Sequence, residues 1–199
     1  MRPAELIVFT ASFAGVLLAG VLWGIGIAIV LAILEFLRRA WWPHEAVLGR
    51  VGGLKGYHDR ARYPEARLVP GLLLYRFDAP LFFANAEAFR DAVQAAIGGG
   101  AGTIRWVVVA AEPVTDIDTT AADMLDELLT SLERSGIVLR FAELKGPAKD
   151  RLRHYGLMER LGPDAFYPTV GTAVDGFVEA TGLDWVDWEE RQPQGPPGS

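Results

Sequence analysis

The stretch "VTDIDTTAADML", from Val114 to Leu125, places Asp116, Asp118, Thr119 and Thr120 within five positions. Carboxylates and hydroxyls at that spacing suit three kinds of chemistry. The carboxylates can act as acid and base, a hydroxyl can accept a phosphoryl group, or the oxygens can cap a helix whose first amides lack partners. An enzyme would also need a nucleophile held by a base, or a phosphate-binding loop, and the sequence offers neither. His44, His58 and His154 are scattered without metal-ligand spacing. The chain has no cysteine, which removes disulfides, thiolate metal sites and cysteine nucleophiles. "GGGAG", residues 98–102, lacks the lysine and spacing of a phosphate loop and reads as a flexible connection. The expectation is a non-enzyme with no cofactor and no metal.

Capping therefore leads. Thr120 with Asp123 fits the S/T-x-x-D/E box that satisfies amides at a helix start. Asp116 and Asp118 lie beside the positive end of that helix, an interaction of about 0.3 to 1 kcal/mol each when exposed. Capping and phosphorylation are compatible at one loop.

The elements that would hold this loop follow from periodicity. "IRWVVVAA", Ile104–Ala111, is a continuous apolar run, as expected of a strand covered on both faces. Thr120–Ser135 reads as a helix with Met124, Leu125, Leu128, Leu129 and Leu132 inward. "LLLYRF" and "PLFFAN" read as strands, and Asn85 as the cap of the helix "AEAFRDAVQAAI". "GIVLRFAEL" and "FYPTV" add strands. "GPAKDRLRHYG" is a helix with Pro147 in its first turn and Gly156 at its end, and Thr172–Thr181 is the last helix. "AVLGRVGG", within a glycine-rich connector, has the residues for a short strand. Alternating strands and helices predict an α/β fold with a mainly parallel sheet.

The N-terminal part is of another kind. Leu6–Leu34 is 29 residues without a charge. A membrane crossing needs about 20 such residues, and no small-residue cleavage site makes this a secretory signal. As one helix it would measure roughly 44 Å at ~1.5 Å per residue, more than the ~30 Å hydrocarbon core. Gly20, Gly24 and Gly26 around Trp23 mark where it would break into two short helices, Glu5–Leu22 and Gly24–Ala40. "GVLWG" is also a small-xxx-small pattern suited to close helix packing. Arg38, Arg39, Arg50, Lys55, Arg60 and Arg62 follow the run, so the positive-inside rule puts the remainder in the cytoplasm. Trp41 and Trp42 suit the headgroup level. Residues 1–62 carry seven Lys/Arg and four Asp/Glu, and residues 63–199 carry 12 and 21. An acidic soluble part argues against nucleic acid as a partner. The organisation expected is a transmembrane segment over 1–42, a linker over 43–70, a globular domain over 71–182 and a disordered tail over 183–199, where Trp185 and Trp188 could dock locally.

These stretches together resemble a known family. "VTDIDTTAADMLDELLTSLERSGIVLRFAELKGPAKDRLRHYGL" is similar to the signature of the STAS domain, shared by sulfate transporters and bacterial anti-sigma-factor antagonists. "VLGRV…YHDRARYPEARLVPGLLLYRFDAPLFFANAEAFRDAV", with its "FFANA" turn, resembles the entry into that domain in SulP anion permeases. "TASFAGVLLAGVLWGIGIAIVLAILEFLRR" resembles the last two membrane helices of those permeases. The resemblance implies the C-terminal portion of a secondary anion transporter of the sulfate and bicarbonate class, carrying a cytoplasmic STAS domain that regulates or couples the transport units. Its implied partners are the lipid bilayer, the remaining helices of the transport domain, a second copy in a homodimer and a cytoplasmic regulatory protein. It also implies that Asp118–Thr119 matches the Asp–Ser/Thr pair whose hydroxyl is phosphorylated in switching STAS domains. A phosphate there would meet unpaired amides and the positive end of a helix. This chain has Thr120 and Ala121 where that pattern continues with a small residue and glycine. The alternative is a membrane-tethered STAS signalling module of the antagonist type, switched at Thr119.

Overall fold

The computed structural model describes residues 9–10, 13–14, 20–99 and 103–185. The chain divides into two compact units, Met1–Pro43 and His44–Ser199.

In the first unit, helix α1 runs from Val21 to Trp41. Among the described residues it is the one helix long and apolar enough to cross a membrane, by length and composition. Gly20 precedes it at φ 88° and ψ 166°, a conformation essentially reserved for glycine. The helix therefore starts directly after Gly20, one of the three glycines that the sequence offered for a break, and Trp23, Gly24 and Gly26 lie inside it. Glu35 accepts hydrogen bonds from Arg38 (2.8 and 2.9 Å) and Arg39 (2.8 Å) in the last turns. Most of the expected first helix, Glu5–Leu22, lies outside the described residues.

The second unit is built on a six-stranded sheet. Its strands are β1 (Glu45–Arg50), β2 (Tyr57–Asp59), β3 (Leu72–Phe77), β4 (Trp106–Ala110), β5 (Val138–Ala142) and β6 (Phe166–Tyr167). They lie in the order β2-β1-β3-β4-β5-β6, with β3 to β6 parallel and β1 antiparallel to both its neighbours. The helices are α2 (Ala86–Gly98), α3 (Thr119–Arg134), α4 (Gly146–His154), α5 (Leu157–Leu161) and α6 (Val170–Thr181).

Strand alternation divides the core in two. Leu73, Tyr75, Phe77, Val107, Val109, Leu139 and Phe141 face one layer, where Phe89, Leu125, Leu128 and Leu152 of α2, α3 and α4 cover them. Leu72, Leu74, Val108, Ala110 and Ala142 face the other, where Ala173, Val174 and Phe177 of α6 pack. Burial on both sides is why these strands read as unbroken apolar runs.

Three expectations change. The segment 43–70, read as a connector with one candidate short strand, supplies both β1 and β2. Its glycines make the hairpin between them and do not end the sheet. "PLFFAN" is no strand: Leu81 makes a single parallel bridge to Ile117 and the chain then turns. Asn85 precedes α2, but its side chain does not cap it. Fully buried, it accepts from Phe82 N (3.0 Å) and donates to Pro80 O (2.9 Å), bracing the turn before the helix. Trp185 packs against the α6-side core with Arg67 over its ring at 5.5 Å. Leu183, at the start of the expected tail, packs there too; residues 100–102 and 186–199, Trp188 among them, lie outside the described residues.

Candidate functional site

The chain from β4 to α3 is anchored by what it buries. Val114 and Ile117 are almost wholly inaccessible. The bridge to Leu81 is completed by Leu81 N to Asp116 O (3.0 Å) and Asp118 N to Leu81 O (3.2 Å). With Ile117 pinned inward, Asp116, Thr119 and Thr120 are left at the surface and Asp118 half-buried.

Asp118 does most. One carboxylate oxygen accepts from Ala121 N at 2.8 Å and caps α3. The other accepts from Phe83 N at 2.8 Å, 35 residues earlier in the chain. The side chain thus satisfies a helix amide and ties the turn 80–85 to the loop. This corrects the sequence reading: the helix starts one residue earlier, at Thr119, and Asp118 is the cap where Thr120 with Asp123 was expected. Asp116 folds over Ile117 N (2.9 Å) and accepts from Arg151 Nε of α4 at 3.0 Å. The carboxylate holds the Arg151 guanidinium's proton more firmly than usual, so this cation stays charged. Thr119 Oγ1 lies 3.3 Å from the hydroxyl of Tyr155, which directly follows α4.

The structure therefore gathers Asp116, Asp118 and Thr119 with three groups that the sequence did not indicate: the backbone of Phe83, Arg151 and Tyr155. Their separation along the chain hides them, and only the i, i+4 spacing of Arg151 and Tyr155 hints at a shared surface. Thr120 stands exposed on the first turn. Phe83, 65% exposed, stands beside the loop with its ring 5.5 Å edge-on to Phe82. Exposed hydroxyls, an ion pair and an aromatic ring thus share this surface. Among the described residues no group of three or more His, Cys, Asp or Glu could hold a metal ion.

The comparisons with known proteins agree with this fold. Residues 63–173 match the STAS domain model, which covers more than half of the chain. A probable sulfate transporter of Mycobacterium tuberculosis is 44% identical over 176 residues, covering 88% of this chain and 31% of the relative. Sulfate transporter 1.1 of Arabidopsis thaliana is 32% identical over 171 residues, covering 82% of this chain and 26% of the relative. The chain thus spans less than a third of the length of these relatives. Among solved structures, murine solute carrier 26 family member A9, described as an anion transporter in the inward-facing state, matches with a TM-score of 0.73 at 22% identity. It covers 89% of this chain and 29% of that one, a likeness of fold. The chain belongs to the STAS-domain family and is homologous to the SulP sulfate transporters.

Proposed function

We propose that this chain acts as the C-terminal portion of a SulP-type secondary anion transporter. In this reading α1 and the apolar residues before it cross the bilayer beside the remaining transport helices. The STAS domain sits on the cytoplasmic side, where it couples transport units in a homodimer and receives a regulatory protein. One observation carries the reading: a match over 88% of this chain cannot begin later than residue 25, so it takes in most of α1 as well as the STAS domain. A free-standing signalling domain would share only the latter. The relatives are transporters, and the chain contributes helices and a docking surface to movement of an anion by alternating access, with no catalytic step.

A second reading, a membrane-tethered switch, draws on one feature, the exposure of Thr119 on the first turn of α3. A phosphoryl group there would lie near both the helix amides and Arg151, with Asp116 and Asp118 opposing it.

A chimera separates the two. The matching stretch of sulfate transporter 1.1 is replaced by this chain and expressed in cells without sulfate uptake of their own. Uptake within about threefold of the parent, less than 1 kcal/mol in coupling, supports the transporter reading. Full-length, membrane-localised chimera with no uptake contradicts it. In the same chimera Thr119→Ala leaves uptake unchanged, and loss of uptake on that substitution favours the switch.

A further inference from the structure

Among the described strands β2 ends the sheet and pairs with β1 alone, so its other edge is open. The chain around it is basic. Lys55 stands exposed in the hairpin loop, and the exposed Arg60 and Arg62 flank Ala61 in the turn after β2. This turn folds back on the strand. Arg62 N and Tyr63 N donate to Asp59 O at 3.1 and 3.0 Å, and the Tyr63 ring lies 5.4 Å from that of His58. The loop closes on the same strand, with His58 Nε2 2.9 Å from the Lys55 carbonyl oxygen. Three cations are thereby held along one open edge. We propose that this edge binds the anionic phospholipid headgroups of the cytoplasmic leaflet. The inference rests on the reading that α1 crosses the bilayer and leaves this domain on that side.

The carboxylates nearby do little to neutralise the edge. Residues 51–67 hold four Lys/Arg and two Asp/Glu, and of the two acids Asp59 is buried. Asp59 gives Oδ1 to Ala61 N at 2.8 Å, and Arg62, its side chain 75% exposed, approaches it only to 3.8 Å. Glu65 is the exposed acid that remains. The cations do not converge on one small anion either. Lys55 borders a hollow of about 450 Å³ beside Arg76 and Thr169, whereas Arg60 borders another, of about 370 Å³, beside Leu68 and Ile104. Charges spread along an edge in this way suit a plane of headgroups. Leu54, next to Lys55 and 39% exposed, adds an apolar side chain that a lipid interface accommodates. In sequence the edge follows α1 with only β1 between them. Lys and Arg just cytoplasmic of a membrane helix are drawn to anionic lipid, each strengthening binding by about fivefold. The acidic remainder of the domain is repelled by the same leaflet, so the two effects favour one orientation. Charged side chains also keep an open edge from pairing with a foreign strand. That role would be the same whatever lipid is present.

The chain has no cysteine, so Ala61→Cys gives a single site for a nitroxide label between Arg60 and Arg62. The full labelled chain is placed in nanodiscs of phosphatidylcholine, alone or with about 30% phosphatidylglycerol. In the anionic discs the label should become about threefold less accessible to an uncharged nickel chelate in the water. Salt at about 1 M, which shortens screening to ~3 Å, should restore that accessibility. A label at Ser131→Cys, exposed on α3, should not respond to the lipid. Lys55→Gln, Arg60→Gln and Arg62→Gln together should remove the response at position 61. The same three changes should leave a label at position 131 as mobile as before, which reports a folded domain. Equal accessibility in both discs overturns the proposal, as does a response that survives salt or the three substitutions. So does a response that millimolar inorganic phosphate reproduces in neutral discs, which would mean capture of a free anion. A chain that enters neither disc refutes the crossing by α1, and the inference falls with it.

Discussion

At the scale of single residues the loop depends on Asp118, because its two oxygens serve two elements at once. Asp118→Ala should cost about 2 kcal/mol, combining the loss of a helix cap with a stranded amide at Phe83. Asp116→Ala should cost less than about 1 kcal/mol, since its ion pair with Arg151 is more than half exposed on both sides. Urea unfolding in detergent, followed by circular dichroism, ranks the two. Tyr75 supplies a pH prediction. Burial, with the Glu45 carboxylate 2.5 Å from its hydroxyl, pushes this phenol well above the ordinary tyrosine range. Its folded pKa is raised, so its contribution is intact below the unfolded value near ~10 and is lost as pH climbs beyond it. Denaturation midpoints should therefore fall as pH rises from about 10 upward, and Tyr75→Phe should flatten that fall. The residues of the loop were legible in the sequence; their division of labour was not. Asp118, Thr119 and Thr120 all make acceptable caps, and the choice is settled by Ile117 bridging to Leu81, 36 positions away.

At the scale of elements the parallel strands and the helices between them were readable, because double-sided burial writes apolar runs and one-sided burial writes helical stripes. The β1–β2 hairpin was not, because its glycines look like punctuation until their partners are seen. Gly49 sits in β1, where an added Cβ would lie 3.0 Å from both Ala66 Cβ and the Arg67 carbonyl. The segment crosses that closely because Arg50 and Arg67 exchange backbone hydrogen bonds of 2.8 and 2.9 Å. Buried Arg50 then reaches the Leu54 and Gly56 carbonyls at 2.5 and 2.7 Å and shapes the hairpin loop. Gly49→Ala should destabilise the domain by about 1–3 kcal/mol, since a backbone carbonyl cannot rotate away as a side chain would. Gly53→Ala should act through its backbone conformation alone, because nothing lies within 4 Å of the new carbon while φ is +79°. A thermal melt showing Gly49→Ala harmless would mean that the 63–70 segment does not pack on β1 this tightly.

At the scale of the molecule one chain joins two parts suited to unlike solvents: an apolar stretch with 29 uncharged residues, and an acidic α/β domain with both sheet faces covered. That division was plain in the sequence, since charge and hydropathy change together near Arg38. The position of the helix break was less so, because three glycines compete and only Gly20 adopts the conformation that demands one. The most direct measurement is fractionation of cells expressing the full chain, with alkaline carbonate extraction of the membranes. The account predicts that the chain stays in the carbonate-washed pellet and needs detergent to become monodisperse. A chain that leaves the membranes under carbonate, and runs as a single sharp species in plain buffer, would contradict it.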